Sequence, residues 1–239
     1  MQKLIDGAAK LGLSLGEREV GLFQTYYREL VDWNQRMNLT SITEYDAVQI
    51  NHFLDSLTVA LIWKPDSGRK QARVLDVGTG AGLPGIALKI VFPEIRLVLL
   101  EATTKKTEFL HHLKRILDLN DIDIVAGRAE DVAHLSQYRE KFDLVLARAV
   151  AAMPALVELT LPFCSIGGRF VAYKKGDIKQ ELAESSRAID LMGGKLDEVK
   201  QVNLSEFPDQ RYLISVLKLK PTPGQYPRSP GTPAHKPIK

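Results

Sequence analysis

Apolar positions change their period along the chain, and the changes mark where one kind of structure gives way to another. Over residues 1 to about 63 they recur at helical intervals, as Val20, Phe23, Tyr27, Leu30 and Met37 and then as Val48, Leu54, Leu57, Leu61 and Ile62. Ser14 with Glu17, and Ser41 with Glu44, have the spacing of helix-starting capping boxes. From Arg73 onward, short apolar runs alternate with helical stretches. The runs Val74–Val77, Arg96–Glu101, Ile122–Ala126, Phe142–Ala147 and Arg169–Tyr173 predict buried strands. Helices are predicted over Pro84–Val91, Thr104–Leu117, a short piece near Glu130–Tyr138, Ala155–Leu161 and Ile178–Leu191. This alternation gives an α/β fold, a parallel sheet covered on both faces. Lys195–Val202 and Arg211–Leu219 are joined by a link too short for a helical crossover, so they should pair antiparallel.

The expected division is an N-terminal helical extension (1–63), a sheet domain (64–219) reached through the loop Lys64–Lys70, and a C-terminal tail (220–239). Apolar stripes in the extension favour packing over a substrate role. Its polar residues Arg36, Asn38, His52 and Asp55 are expected to hydrogen-bond between elements, since a lone histidine on such a face is more often structural than catalytic.

Charge is informative only when divided along the chain. Of 32 basic and 29 acidic residues, the segment from Lys218 holds five basic and no acidic ones, leaving 27 basic against 29 acidic elsewhere. That segment also carries six of the twelve prolines, so it should be extended, either as a solvated terminus or as a basic arm on a phosphate backbone. No run reaches the length of a membrane span, and the N-terminus lacks a signal-peptide pattern, so a cytoplasmic protein with no membrane partner is expected. The single Cys164, in LPFCSIGG, excludes an internal disulfide and any cysteine metal cluster; no metal is expected.

Candidate chemistry centres on RVLDVGTGAGLPG, residues 73–85. A strand breaks into Gly78, Gly80 and Gly82 and a helix follows, as in a nucleotide pocket. The dinucleotide fingerprint fails because its third glycine position is Leu83. Asp76 would repel a pyrophosphate but welcome an ammonium or sulfonium group. The pattern D-x-G-x-G-x-G resembles motif I of class I methyltransferases, which bind S-adenosylmethionine. Further strand ends agree with it. Glu101 closes the second strand, 25 residues after Asp76, where an acid can accept from both ribose hydroxyls; Ala102 and Thr103 follow it. Gly127-Arg128-Ala129-Glu130 ends the third, where a carboxylate or main-chain N–H can meet an adenine edge, and Arg148 ends the fourth.

The fourth-strand end reads Ala147-Arg148-Ala149-Val150, without the Asn/Asp-Pro-Pro-aromatic motif typical of methylation on exocyclic amines, and no cysteine stands beside a proline for pyrimidine C5 chemistry. A nucleophile with its own lone pair, such as a purine ring nitrogen, remains. The stretches MNLTSIT (37–43), HFLDSL (52–57), GRAED, LARAVA, YKKG (173–176) and QYPRSPGTPAHKP, with the glycine motif, closely resemble the bacterial glucose-inhibited division protein B family of small-subunit ribosomal RNA guanine-N7 methyltransferases. Glu101-Ala102 departs from the family's frequent Asp-Ser.

The resemblance implies a class I S-adenosylmethionine-dependent (Rossmann-like) sheet closed by an antiparallel hairpin. It also implies S-adenosylmethionine as cofactor, guanine 527 of 16S rRNA as target, and 16S rRNA or the small ribosomal subunit as partner. Asp76 and the Gly78–Gly82 loop would hold the methionine moiety, Leu83 would pack on the cofactor, Glu101 would take the ribose, Ala102 and Thr103 beside it would also belong to the cofactor site, and Ala129 and Glu130 would flank the adenine. Arg148 would serve the cofactor or steer the guanine, and Arg36, Lys174, Lys175 and Arg228 would meet RNA phosphates. Guanine N7 needs no deprotonation, so no catalytic base is assigned. The rivals are a methyltransferase of this fold acting on another RNA, a protein or a small molecule, a ribosome-binding protein with a vestigial pocket, and, least favoured, a nicotinamide enzyme.

Overall fold

The apolar runs pair into a seven-stranded sheet in the computed structural model, which describes residues 1–65 and 71–239. The strands are β1 (Arg73–Val77), β2 (Arg96–Glu101), β3 (Ile122–Ala126), β4 (Phe142–Arg148), β5 (Cys164–Lys175), β6 (Gly194–Gln201) and β7 (Arg211–Lys218). Their order is β3-β2-β1-β4-β5-β7-β6, with the first five parallel and β7 antiparallel to both neighbours. Of the predicted loop before β1, residues 66–70 lie outside the described residues.

Helices α1 (Gln2–Lys10), α2 (Glu17–Asn34), α3 (Tyr45–Val48) and α4 (Asp55–Leu57) precede the sheet, with a wide π-type turn over Gln49–Leu54 and a 3-10 turn over Thr58–Leu61. Between and after the strands come α5 (Gly85–Val91), α6 (Thr104–Ile116), α7 (Ala129–Val132), α8 (Met153–Thr160), α9 (Lys179–Glu184), α10 (Ser186–Leu191) and α11 (Thr232–His235).

Alternate residues of a strand face opposite sides of a sheet, and both sides here are apolar. Leu97, Leu99, Leu144, Leu146 and Val171 share one core with Ile86 of α5, Phe109 of α6, and Leu4, Phe23, Tyr26, Leu30, Phe53 and Leu57 of the N-terminal block. Val98, Leu100, Val145, Phe170 and Ala172 form the other with Met153, Leu156 and Val157 of α8 and Ile189 of α10. The apolar stripes of the N-terminal block are therefore spent on the sheet.

Several local expectations are corrected. The α2 cap is Gly16, whose N–H is met by the Glu19 carboxylate at 2.9 Å, rather than Ser14 with Glu17. Glu44 itself caps α3, accepting from the amides of Asp46 (3.0 Å) and Ala47 (2.7 Å). The helix expected over Ile178–Leu191 divides at Ser185, whose hydroxyl donates to the Leu182 carbonyl at 2.6 Å. Strand β5 starts five residues early, its register shifting against β4 between Phe142 and Leu144. Gly167 and Gly168 form this irregularity within the strand, and a β-carbon on Gly168 would lie 2.8 Å from the Phe142 carbonyl oxygen.

The tail is not extended. Arg139 donates to the carbonyls of Thr222 (2.9 Å), Pro223 (3.2 Å) and Tyr226 (2.9 Å), and the His134 imidazole Nε2 lies 2.8 Å from that of Pro227. Prolines lack N–H groups but keep their acceptors, and a guanidinium can gather several.

Candidate functional site

Parallel register brings the carboxyl ends of β1, β2 and β4 into line: Val77 sits beside Leu100 on one side and Ala147 on the other. Open α/β sheets bind ligands at this edge. Two hollows occupy it. The smaller, about 190 Å³, is lined by Val77, Gly78, Leu100, Ala102, Gly127–Glu130, Val150 and Ala151, with Leu159, Gly231 and Ala234. The larger, about 440 Å³, lies between the N-terminal block and the ends of β4, β5 and β7. The segment Arg148–Ala151 contributes to both, with Arg148 and Ala149 on the larger and Val150 and Ala151 on the smaller.

The glycine loop is shaped from beneath. The Asp76 Oδ2 accepts from the Thr79 hydroxyl (2.6 Å) and the Gly85 amide (2.8 Å), pulling the loop and the start of α5 onto the end of β1. A β-carbon on Gly85 would stand 2.9 Å from that oxygen. From the N-terminal block, the Tyr26 hydroxyl donates to the Ala81 carbonyl at 2.6 Å. Gly78 takes a φ of +68°, and a β-carbon there would sit 2.8 Å from Val150 Cγ2, so glycine is required on both counts. Above Gly80 the space is open: a β-carbon would approach only the Gly78 carbonyl, at 4.0 Å.

Asp76 is wholly buried, and its Oδ1 has no partner. Burial pushes its pKa up to about 6 against the lowering effect of its two hydrogen bonds and of Arg148. Glu101 accepts from the amides of Gly80 (2.9 Å) and Thr103 (2.9 Å), which hold its carboxylate against the glycine loop. An aligned acid at the second strand end, an unpartnered buried carboxylate oxygen and an approachable main chain together fit a ligand with a ribose and a positive charge. Leu83 is buried behind the loop, while Ala102 and Thr103 are exposed.

Across the Arg148 segment, one carboxylate organises the larger hollow. Asp55 receives Arg148 Nη1 on Oδ2 at 2.9 Å and Arg211 Nη1 on Oδ1 at 2.6 Å. Arg211, 2% exposed, also reaches Asn51 (2.5 Å) and Asp209 (2.8 Å) and lies over the Phe207 ring. Arg148 further donates to the carbonyls of Asn51 (3.2 Å) and His52 (3.4 Å), two residues of the π-type turn. His52 bonds Thr40 at 2.7 Å, and burial followed by the Arg148 charge lowers its pKa to about 4, which keeps it neutral at physiological pH. The expectation that His52 and Asp55 serve as bonds between elements holds. Arg36, by contrast, pairs within its own segment with Asp32 at 2.5 Å.

The remaining sequence-named residues separate. Ala129 and Glu130 line the smaller hollow, and the Glu130 carboxylate accepts from the Gly231 amide at 2.9 Å. Lys174 and Lys175 line the larger one; Lys174 pairs with Glu181 and donates to the Ala151 carbonyl at 2.8 Å, while the half-exposed Lys175 pairs with Asp209 at 3.3 Å. Arg228 lies in neither, clasping the wholly buried Glu158 through Nε (2.9 Å) and Nη2 (2.7 Å). Sequence reasoning missed Tyr26 and Arg211, whose partners are distant in the chain, and the approach of Gly231 and Ala234. Among the described residues no cluster of histidine, cysteine and acidic side chains is placed to hold a metal ion, and no helix is long and apolar enough to cross a membrane.

The strand order and the twin hollows at its carboxyl edge define a class I methyltransferase fold. A family model described as rRNA small subunit methyltransferase G, GidB, matches residues 19–212, and the chain belongs to that family. It is 49% identical to the ribosomal RNA small subunit methyltransferase G of Dehalococcoides mccartyi, with all of both chains covered. It is also 44% identical to the protein of that name from Roseiflexus castenholzii, again with all of both covered. Among solved structures, a putative transferase of Pyrococcus horikoshii aligns with a TM-score of 0.53 at 13% identity, over 69% of this chain and 62% of that one. Thermus thermophilus TrmN aligns at 0.50 and 15% identity, over 72% and 53%. These two likenesses concern the fold alone.

Proposed function

We propose that this chain methylates N7 of a guanine in 16S rRNA, using S-adenosylmethionine, with the small ribosomal subunit as its partner. Family membership together with two hollows meeting at one short segment carries the reading: a cofactor in the smaller and a base in the larger would face each other across Arg148–Ala151.

The residues fit the cofactor. Glu101 offers its remaining lone pairs to the ribose, Gly78–Gly82 lets a ligand lie against the main chain, and Ala129 and Glu130 flank the adenine end. Asp76 acts from below the loop, fixing its shape and supplying negative potential to a cationic ligand. When bound, S-adenosylmethionine supplies an electrophilic methyl on a positively charged sulfur.

Guanine N7 already owns its lone pair, so the protein has a base to orient and water to exclude. Alignment of this kind can contribute roughly 7–11 kcal/mol. Arg148 and Arg211 on Asp55 make the floor of the larger hollow rigid, and neutral His52 adds no charge to it. Lys175 at its rim, with Lys174 and the exposed Arg36, supports attraction of an RNA backbone. The N-terminal block forms a side of the substrate hollow through Ile42, Asn51, His52 and Asp55.

Tritiated methyl transfer to small subunits, naked 16S rRNA and a panel of small molecules tests the proposal. Label recovered as N7-methylguanine from one rRNA position is the expected outcome. Label appearing only in small molecules or protein would refute it.

A further inference from the structure

The C-terminal segment is seated firmly and then turned toward the smaller hollow. Arg139 and His134 hold the carbonyls of residues 222–227, and Arg228 binds the buried Glu158 through its amide (2.8 Å) as well as its guanidinium. The same guanidinium donates to the Lys236 carbonyl at 2.8 Å, tying the two ends of the segment together. Within it the chain reverses at Gly231, at a φ of +84°, and the Gly231 amide meets Glu130 at 2.9 Å. Gly231 and Ala234 thereby become lining of the hollow that Gly78, Leu100, Gly127 and Val150 begin.

We infer that residues 228–234 are a working part of the cofactor site, with Gly231 and Ala234 walling the adenine end and Glu130 acting as a positioning residue that holds the wall in place. The inference rests on the cofactor reading above. Ligand sites enclose most of a small molecule's surface between apolar walls. The strand ends with Val150, Ala151 and Leu159 line part of this hollow, and the C-terminal segment adds main chain and a methyl group. One Glu130 oxygen is spent on the Gly231 amide, so the carboxylate serves this wall. The residue types agree: glycine permits the reversal, and alanine at 234 leaves room that a larger side chain would fill.

Calorimetry on the full chain with S-adenosylhomocysteine tests this, comparing the wild type with Ala234→Trp. Position 234 is exposed, so the replacement leaves the core intact, which a thermal melt verifies. The inference requires that the wild type bind and that Ala234→Trp lose affinity at least about tenfold. It also requires that S-adenosylhomocysteine slow hydrogen exchange at the amides of Gly231, Thr232 and Ala234 in the wild type, a readout independent of the variant. Wild-type binding with undiminished affinity in Ala234→Trp, or with unchanged exchange at those amides, overturns the inference while leaving the cofactor reading standing. A wild type that binds no S-adenosylhomocysteine overturns both.

Discussion

Asp55 and Arg211, 156 residues apart in the chain, meet at 2.6 Å between the N-terminal block and the first residue of β7. Both are nearly sealed from solvent, and Arg148 takes the other oxygen of the same carboxylate. Removing one member of such a group strands the rest. Asp55→Ala is expected to cost about 3–5 kcal/mol in urea unfolding, because Arg148 loses its counterion and the buried Arg211 is left with Asp209 alone. A loss below 1 kcal/mol would mean that the pair contributes little to the packing of the block.

The elevated pKa of Asp76 sets a pH dependence. Its folded value is about 6 against 3.8 unfolded, so the fold favours the protonated form. The contribution is full below pH 4 and lost as pH rises through 6. Over that range the ligand-free wild type should lose about 3 kcal/mol relative to Asp76→Asn, from a shift of about two units at 1.36 kcal/mol each. Unfolding of both proteins at pH 4.5 and 7.5 reads about 2 kcal/mol of it, since part is already lost at pH 4.5, and a stability gap that stays constant would contradict the buried, raised carboxylate.

Ligand binding should move the same proton. A cationic group near Asp76 favours its ionised form, so S-adenosylmethionine binding near pH 6 should release a fraction of a proton and weaken as pH falls further. Calorimetry in buffers of different ionisation heat measures the release. Asp76→Asn should abolish it, and equal release in both proteins would assign the proton elsewhere.

Arg228 and Lys175 should separate stability from RNA attraction. Arg228→Ala leaves Glu158 buried without a counterion and is expected to cost about 3–5 kcal/mol, recovered in large part by adding Glu158→Gln. Lys175→Ala should leave stability nearly unchanged, since its pair with Asp209 is half exposed. It should, however, flatten the dependence of RNA affinity on salt by about 0.7–0.9 in log–log slope. An unaltered slope would remove Lys175 from the RNA surface.

Sequence made the sheet legible because each parallel strand carries a mainly apolar run closed by glycine or a charged residue, and Asp76, Gly78, Glu101 and Glu130 fall at or near those ends by spacing alone. The beginning of β5 was hidden because Gly167-Gly168, which breaks most strands, here occupies an irregularity within one. Arg211 looked like an ordinary charge at a strand start, since nothing local announces a partner 156 residues upstream. The tail misled for a different reason. Its prolines suppress regular structure, yet carbonyls remain free to accept, and Arg139, His134 and Glu158 sit in other elements. Composition reports what a segment cannot form by itself and is silent on what receives it.

S-adenosylmethionine binding by the glycine loop and Glu101 is the proposal on which the others rest. Crystals grown with S-adenosylhomocysteine test it most directly. The expected density places the ribose on Glu101 and the rest of the ligand along Gly78–Gly82. A vacant loop at saturating ligand, or density for the compound elsewhere on the molecule, would contradict it.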